Sequence, residues 1–123
     1  MDEAHLNELS GEVLGCALAV TKKLRPGYLE KVYENALFHE LGKTELHIAR
    51  QVHLHVYYDE IVVGEFIADI VVNDTIILEL KATNSISDAH MAQALNYLTT
   101  TGCKLCLILN FGAPRLGIKR VRN

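Results

Sequence analysis

Residues 66–81 read FIADIVVNDTIILELK. Both halves are apolar on either side of the Asn73-Asp74 turn, which predicts two neighbouring strands, 61–72 and 75–81, in the covered middle of a sheet. Three charges interrupt them: Asp69, Glu79 and Lys81. Side chains alternate along a strand, so Glu79 and Lys81 point to one face. The hairpin register decides whether Asp69 joins them. A two-residue loop pairs Asp69 with Leu78, whereas a three-residue loop, 73–75, pairs it with Glu79. We adopt the second register, because three-residue loops with a bulge are common and it gathers the three charges.

Two carboxylates side by side in a low-dielectric setting repel, and one is driven to protonate. A divalent cation removes that conflict, and a few oxygens completed by water suit Mg²⁺ or Mn²⁺. A lysine beside such an ion can orient or activate water and stabilise charge developing on phosphorus. The competing reading is a buried acid–lysine pair that only sets strand register.

Working outward, Leu6, Leu9, Val13, Ala17, Val20 and Leu24 have helical spacing, and Pro26-Gly27 ends that helix or bends the chain. A second helix is expected over 28–42, with Leu29, Val32, Tyr33, Ala36 and Leu37 on one face and Gly42 as its C-cap. In RQVHLHVYYD, Val52, Leu54 and Val56 alternate with polar residues, a half-exposed strand that turns at Asp59-Glu60. Ser87 caps a helix over 88–101 that directs Met91, Leu95 and Leu98 inward and stops at Gly102. CKLCLILNF (103–111) is a buried strand, and a short last strand falls near 117–121. The order α-α-β-β-β-α-β, with a weak final β, implies an α/β fold with a mixed sheet of four to five strands flanked by helices.

The 123 residues suit one domain, 1–123. The formal charge is −3, which excludes a protein that coats nucleic acid by bulk attraction. Any such contact needs a local patch, and TKKLR (21–25) and PRLGIKRVR (114–122) are the two basic segments. No apolar run reaches the roughly 20 residues that span a bilayer. The acidic start, MDEAHLNELSGE, lacks a signal-peptide pattern, so the cytoplasm is the expected compartment. Cys103 and Cys106 form a C-x-x-C with no second pair, expected to be reduced thiols pointing to opposite faces of a strand. His53 and His55, with His47 nearby, lack a fourth ligand at zinc-site spacing and are discounted. Ser85 and Ser87 lack a nucleophile-elbow context, and the glycines make no phosphate loop.

The ordered set Asp69…Glu79-Leu80-Lys81, after a helix bearing Glu30, resembles the PD-(D/E)XK nuclease superfamily. GYLEKVYENAL (27–37) is similar to the signature of the GxxExxY proteins, through Gly27, Glu30 and Tyr33. The segments HEL, RQV, ADIVV, ILELKA, AQALNYL and LILNF follow in that family's order, so the resemblance covers nearly the whole chain. It implies a restriction-endonuclease-like core and a Mg²⁺- or Mn²⁺-dependent phosphodiesterase site acting on DNA or RNA. Asp69, Glu79 and the Leu80 carbonyl would ligate the metal. Glu30 would reach it through water, and Lys81 would assist the attacking water. Glu30 also reads as a solvated helical acid beside Lys31. Gln93 and Tyr97 share a helix face and resemble the Q-x-x-x-Y motif. They either touch substrate phosphate and support the metal ligands, or close the edge of the core. Tyr33 reads as packing. A homodimer would lengthen the binding surface. The alternative is a catalytically silent nuclease fold that binds nucleic acid or serves as an accessory module.

Overall fold

The computed structural model describes residues 2–122. Helix α1 (Glu3–Lys23) is capped by the Asp2 side chain, which accepts from the His5 N–H. Helix α2 (Glu30–Leu41) follows. Strands β1 (Ile48–Tyr58), β2 (Ile61–Val72) and β3 (Ile76–Lys81) form a meander. Helix α3 (Asp88–Thr101), β4 (Leu105–Asn110) and β5 (Gly117–Arg122) complete the chain. Ser87 and His90 cap α3 reciprocally, and Gly102 ends it in the left-handed conformation expected of a C-terminal glycine.

The five strands lie in sequence order, with β3 and β4 parallel and the other neighbours antiparallel. The sheet is therefore mixed, because the β3–α3–β4 crossover returns the chain in the same direction. Helices α1 and α2 cover one face through Leu9, Val13, Leu37, Ile76, Leu78 and Leu107. Helix α3 covers the other through Ala94, Leu98, Ile77, Cys106 and Ile108. Each fully buried Leu or Ile contributes about 1.5–3 kcal/mol relative to exposure. No helix among the described residues is long and apolar enough to cross a membrane.

Several expectations change on folding. Leu29 precedes α2 as its N-cap and is 82% exposed, and Val32 and Leu95 also face outward. The first half of β2 is not covered: Ile61, Val62, Val63 and Ile67 are exposed, because the β1–β2 hairpin extends past the helices. Cys103 precedes β4 rather than lying within it, so strand alternation does not separate it from Cys106. Both thiols are free and pack on the α3 side. Two arginines of the basic tail are held by α1: Arg120 donates to Ser10 and Asn7, and Arg122 pairs with Glu3.

Two junctions set the ends of elements near the sheet's centre. Tyr33 is fully buried and stacks on Phe111, with ring centroids 5.0 Å apart. Its hydroxyl donates to the Arg25 carbonyl (2.6 Å) and accepts from the Tyr28 N–H (3.2 Å). It thereby clamps the turn in which Gly27 has a φ of +123°, a value that requires glycine. This clamp explains the G-x-x-E-x-x-Y spacing, since it leaves Glu30 as the first residue of α2. At the other junction, buried Asn110 accepts from the Thr83 and Gly112 N–H groups and donates to the Thr83 carbonyl. A Cβ on Gly112 would run into the Thr83 main chain, a clash that no rotamer relieves.

Glycine substitutions should therefore diverge in sign. Gly11→Ala, in the exposed interior of α1 with nothing near its Cβ position, should stabilise the protein by about 0.5–1 kcal/mol. Gly112→Ala should cost more than about 2 kcal/mol. Urea unfolding of both variants checks the pair, and equal effects would sink the close-approach argument.

Candidate active site

Val72 pairs with Ile76 and Ile70 with Leu78. Continuing that register by one residue sets Asp69 opposite Glu79, as the three-residue loop requires. Asn73 and Asp74 carry positive φ, and the Thr75 N–H closes the turn on the Val72 carbonyl. Asn and Asp tolerate this left-handed geometry best among non-glycine residues. Thr75 is the additional residue that shifts the register.

Asp69 lies where two strands reverse their pleat. Phe66 and Ala68 face α3, whereas Ile70 and Val72 face α1 and α2. Strict alternation would put all four on one side. The neighbouring strand changes in step, with Val52 and Leu54 toward α3 but Ile48 toward the other helices. Both reversals fall on the Gln51–Asp69 rung, between the pairs Arg50↔Ile70 and Val52↔Ala68. Gln51 has a φ of +51° there, a strained choice for a residue with a side chain.

Buried Glu34 secures that reversal. Its carboxylate accepts from Gln51 (2.8 Å), Arg50 (2.7 Å) and Lys31 (3.0 Å). Burial works against its charge, but these hydrogen bonds outweigh burial and hold its carboxyl below the usual range. Arg50 also donates to Asn35 and lies over the Phe38 ring. The sequence reading missed Glu34 and Gln51. No local spacing marked either one, since Glu34 meets Arg50 and Gln51 only across the fold.

With the pleat reversed, the Asp69 carboxylate turns toward β3 and accepts from the Leu80 main-chain N–H at 2.8 Å. The N–H and C=O of one strand residue lie on the same edge, so the Leu80 carbonyl also faces Asp69. Glu79 is 7% exposed and sits on the α3 face, and its Oε1 is buried with no hydrogen-bond partner among the described residues. Burial, and then the neighbouring Asp69 charge, push its carboxyl up to about 8, against the pull of Lys81. Burial also raises Asp69, and the charges of Glu34 and Glu30 add to this, while the Leu80 N–H and Lys81 oppose it.

Lys81 is half-buried at the end of β3, beside Asn110 in the parallel ladder, and its carbonyl accepts from the Phe111 N–H. The Asn110 junction therefore holds the segment that carries Lys81. Glu30 is exposed at the start of α2, and its charge reaches both acids. Tyr97 is buried on α3 and stacked on Phe66 (centroids 3.8 Å apart), and burial plus the charges of Glu79 and Asp69 push its hydroxyl up to about 12. Gln93 is exposed one turn earlier. Among the described residues, no three His, Cys, Asp or Glu side chains converge into a complete metal cluster. The oxygens gathered here are two carboxylates and one main-chain carbonyl. His53 and His55 instead bracket Glu65, at 2.8 and 3.1 Å, on the exposed hairpin.

A meander followed by a helical crossover, with D…E-x-K at the central strand, defines an α/β fold of the restriction-endonuclease kind. The family model described as the PD-(D/E)XK nuclease superfamily matches residues 7–121. The chain belongs to that superfamily. No curated protein and no solved structure gave a significant match.

Two predictions test this geometry. Glu79 has a raised carboxyl, so the folded state binds its proton more tightly than the unfolded chain does. That contribution is present at low pH and is lost as pH rises toward 8. The Tm of the metal-free protein should therefore fall between about pH 5 and pH 8, and Glu79→Gln should flatten the fall. Gln51→Val places a β-branched residue at positive φ and should cost about 1–3 kcal/mol. Gln51→Gly fits the backbone and should cost less in urea unfolding, and the reverse order would refute the pleat-reversal argument.

Proposed function

We propose that the protein is a divalent-metal-dependent nuclease of the GxxExxY group, hydrolysing phosphodiester bonds of nucleic acid. The observation that carries this reading is the buried, unpartnered Glu79 oxygen beside the Asp69 carboxylate. An unsatisfied buried polar atom is costly and calls for a partner, and a second acid cannot be that partner while both are ionised. Asp69, Glu79 and the Leu80 carbonyl are hard oxygen donors that suit Mg²⁺ or Mn²⁺, and Glu30, whose charge is felt by both acids, would bind the same ion through water. Bound there, the ion would neutralise the two acids and draw charge from a phosphoryl oxygen.

The chain's own residues supply the remaining roles. Lys81 shares the Glu79 face, where its ammonium can orient the attacking water and stabilise the charge growing on phosphorus. The Leu80 N–H fixes one Asp69 oxygen and leaves the other for the site. Gln93 offers an exposed amide to the substrate. Buried Tyr97 supports the floor beneath Glu79. The cytoplasm and a homodimeric state are part of this proposal.

A catalytically silent nucleic-acid-binding or accessory role is favoured by one observation. The net charge is −3, and tail residues Arg120 and Arg122 are engaged with α1. Metal titration separates the two readings. Mn²⁺ should raise the Tm more at pH 8 than at pH 6, because protons compete for Glu79, and Asp69→Ala should abolish the rise. Lys81→Ala should keep the metal response while lowering cleavage of DNA or RNA by about 10²- to 10⁴-fold. No metal response in the wild type would leave only the silent module.

A further inference from the structure

A groove of about 770 Å³ runs between the β1–β2 hairpin and α3. Its size falls within the roughly 300–1,000 Å³ typical of ligand sites. Tyr57 and Phe66 line it from the hairpin, and Gln93, Asn96, Tyr97 and Thr99 line it from α3. Local structure opens it in two ways. The register shifts between Val56 and Tyr57, and both residues line the groove although neighbours on a regular strand face opposite sides. Gly64 stands opposite Val56 and adds no side chain.

The chemistry of the lining is selective. No Lys, Arg, Asp or Glu is among the groove's described residues. A phosphate backbone needs cations along its track, and this groove has none. It presents aromatic rings together with neutral amide and hydroxyl groups. Unpaired nucleobases match that surface, since each has a π-face for stacking and a neutral hydrogen-bonding edge. A continuous duplex keeps those faces stacked inside itself. Tyr57 is 62% exposed and available for stacking. Gln93 and Tyr97, the two α3 residues of the candidate site, both line the groove, so the groove and the site share a wall.

We infer that this groove receives unpaired bases, so that the substrate of the Asp69–Glu79 site is a single-stranded or frayed nucleic acid rather than a continuous duplex. The inference rests on the nuclease reading for the word substrate, but the groove's binding can be measured without metal.

The experiment follows fluorescence anisotropy of labelled oligodeoxynucleotides in EDTA. The probes are a short single strand, its blunt duplex, and the same strand with abasic sites. The single strand should bind more tightly than the duplex or the abasic strand. Tyr57→Ala should weaken single-strand binding by about 5- to 100-fold. The loss should be the same at low and high salt, because no phosphate contact is removed. Asn96→Ala provides a second exposed probe of the same wall and should weaken the single strand but not the duplex. Equal affinities for single strand and duplex, unchanged binding in both variants, or a loss that depends on salt would overturn the inference. A wild-type dimer that Tyr57→Ala dissociates would assign the groove to a second copy and overturn it as well. Failure of the Mn²⁺ response with these binding results intact would remove the nuclease reading alone.

Discussion

A strand alternates its side chains, so a carboxylate on a covered strand either enters a core or must be turned out of the ladder. Asp69 is turned out. The pleat reverses at the Gln51–Asp69 rung, the β2–β3 pairing stops at Ile70, and the Leu80 N–H receives a carboxylate. The reversal places a non-glycine residue at positive φ, which costs of order 1–3 kcal/mol. Glu34 offsets that cost through three side-chain donors, two of them on β1. The site thus depends on a contact between α2 and the kinked part of β1.

The acids lie in a setting that would ordinarily exclude them. Apolar cores on both faces of β3 fix the main chain, so the carboxyl groups cannot escape to water by moving the strand. Burial then raises both carboxyls and leaves Glu79 Oε1 without a partner among the described residues. Lys81 moderates the effect from the strand end, where Asn110 bonds the departing chain at Thr83 and Gly112 lets it pass close by. The two helical layers therefore hold charged groups at positions that bare electrostatics would oppose, and perturbed acids of this kind cluster at functional sites.

Much of this was legible in the chain. Helical spacing located α1 and α3, and Ser87 and Gly102 bounded α3. The three-residue loop 73–75, chosen over a two-residue turn because it gathers the charges, matches the observed pairing of Val72 with Ile76. The roles of Glu34, Gln51 and Asn110 were hidden, because each acts on a residue distant in sequence, and a Glu beside Lys or an Asn after a strand is commonplace. Apolarity also misled at β2. Its first half is as greasy as its second, yet no helix reaches far enough to cover it.

The sequence by itself determined the order of the elements and the alignment of Glu79 with Lys81, because those follow from local periodicity, but it left the hairpin register open between two loop lengths. Tertiary structure alone decided that the pleat reverses at Asp69 and that Glu34 secures the reversal. It alone also left an uncharged aromatic groove between the β1–β2 hairpin and α3. Each of these depends on which surfaces the packed helices cover, and that coverage follows from three-dimensional contacts that no local spacing encodes.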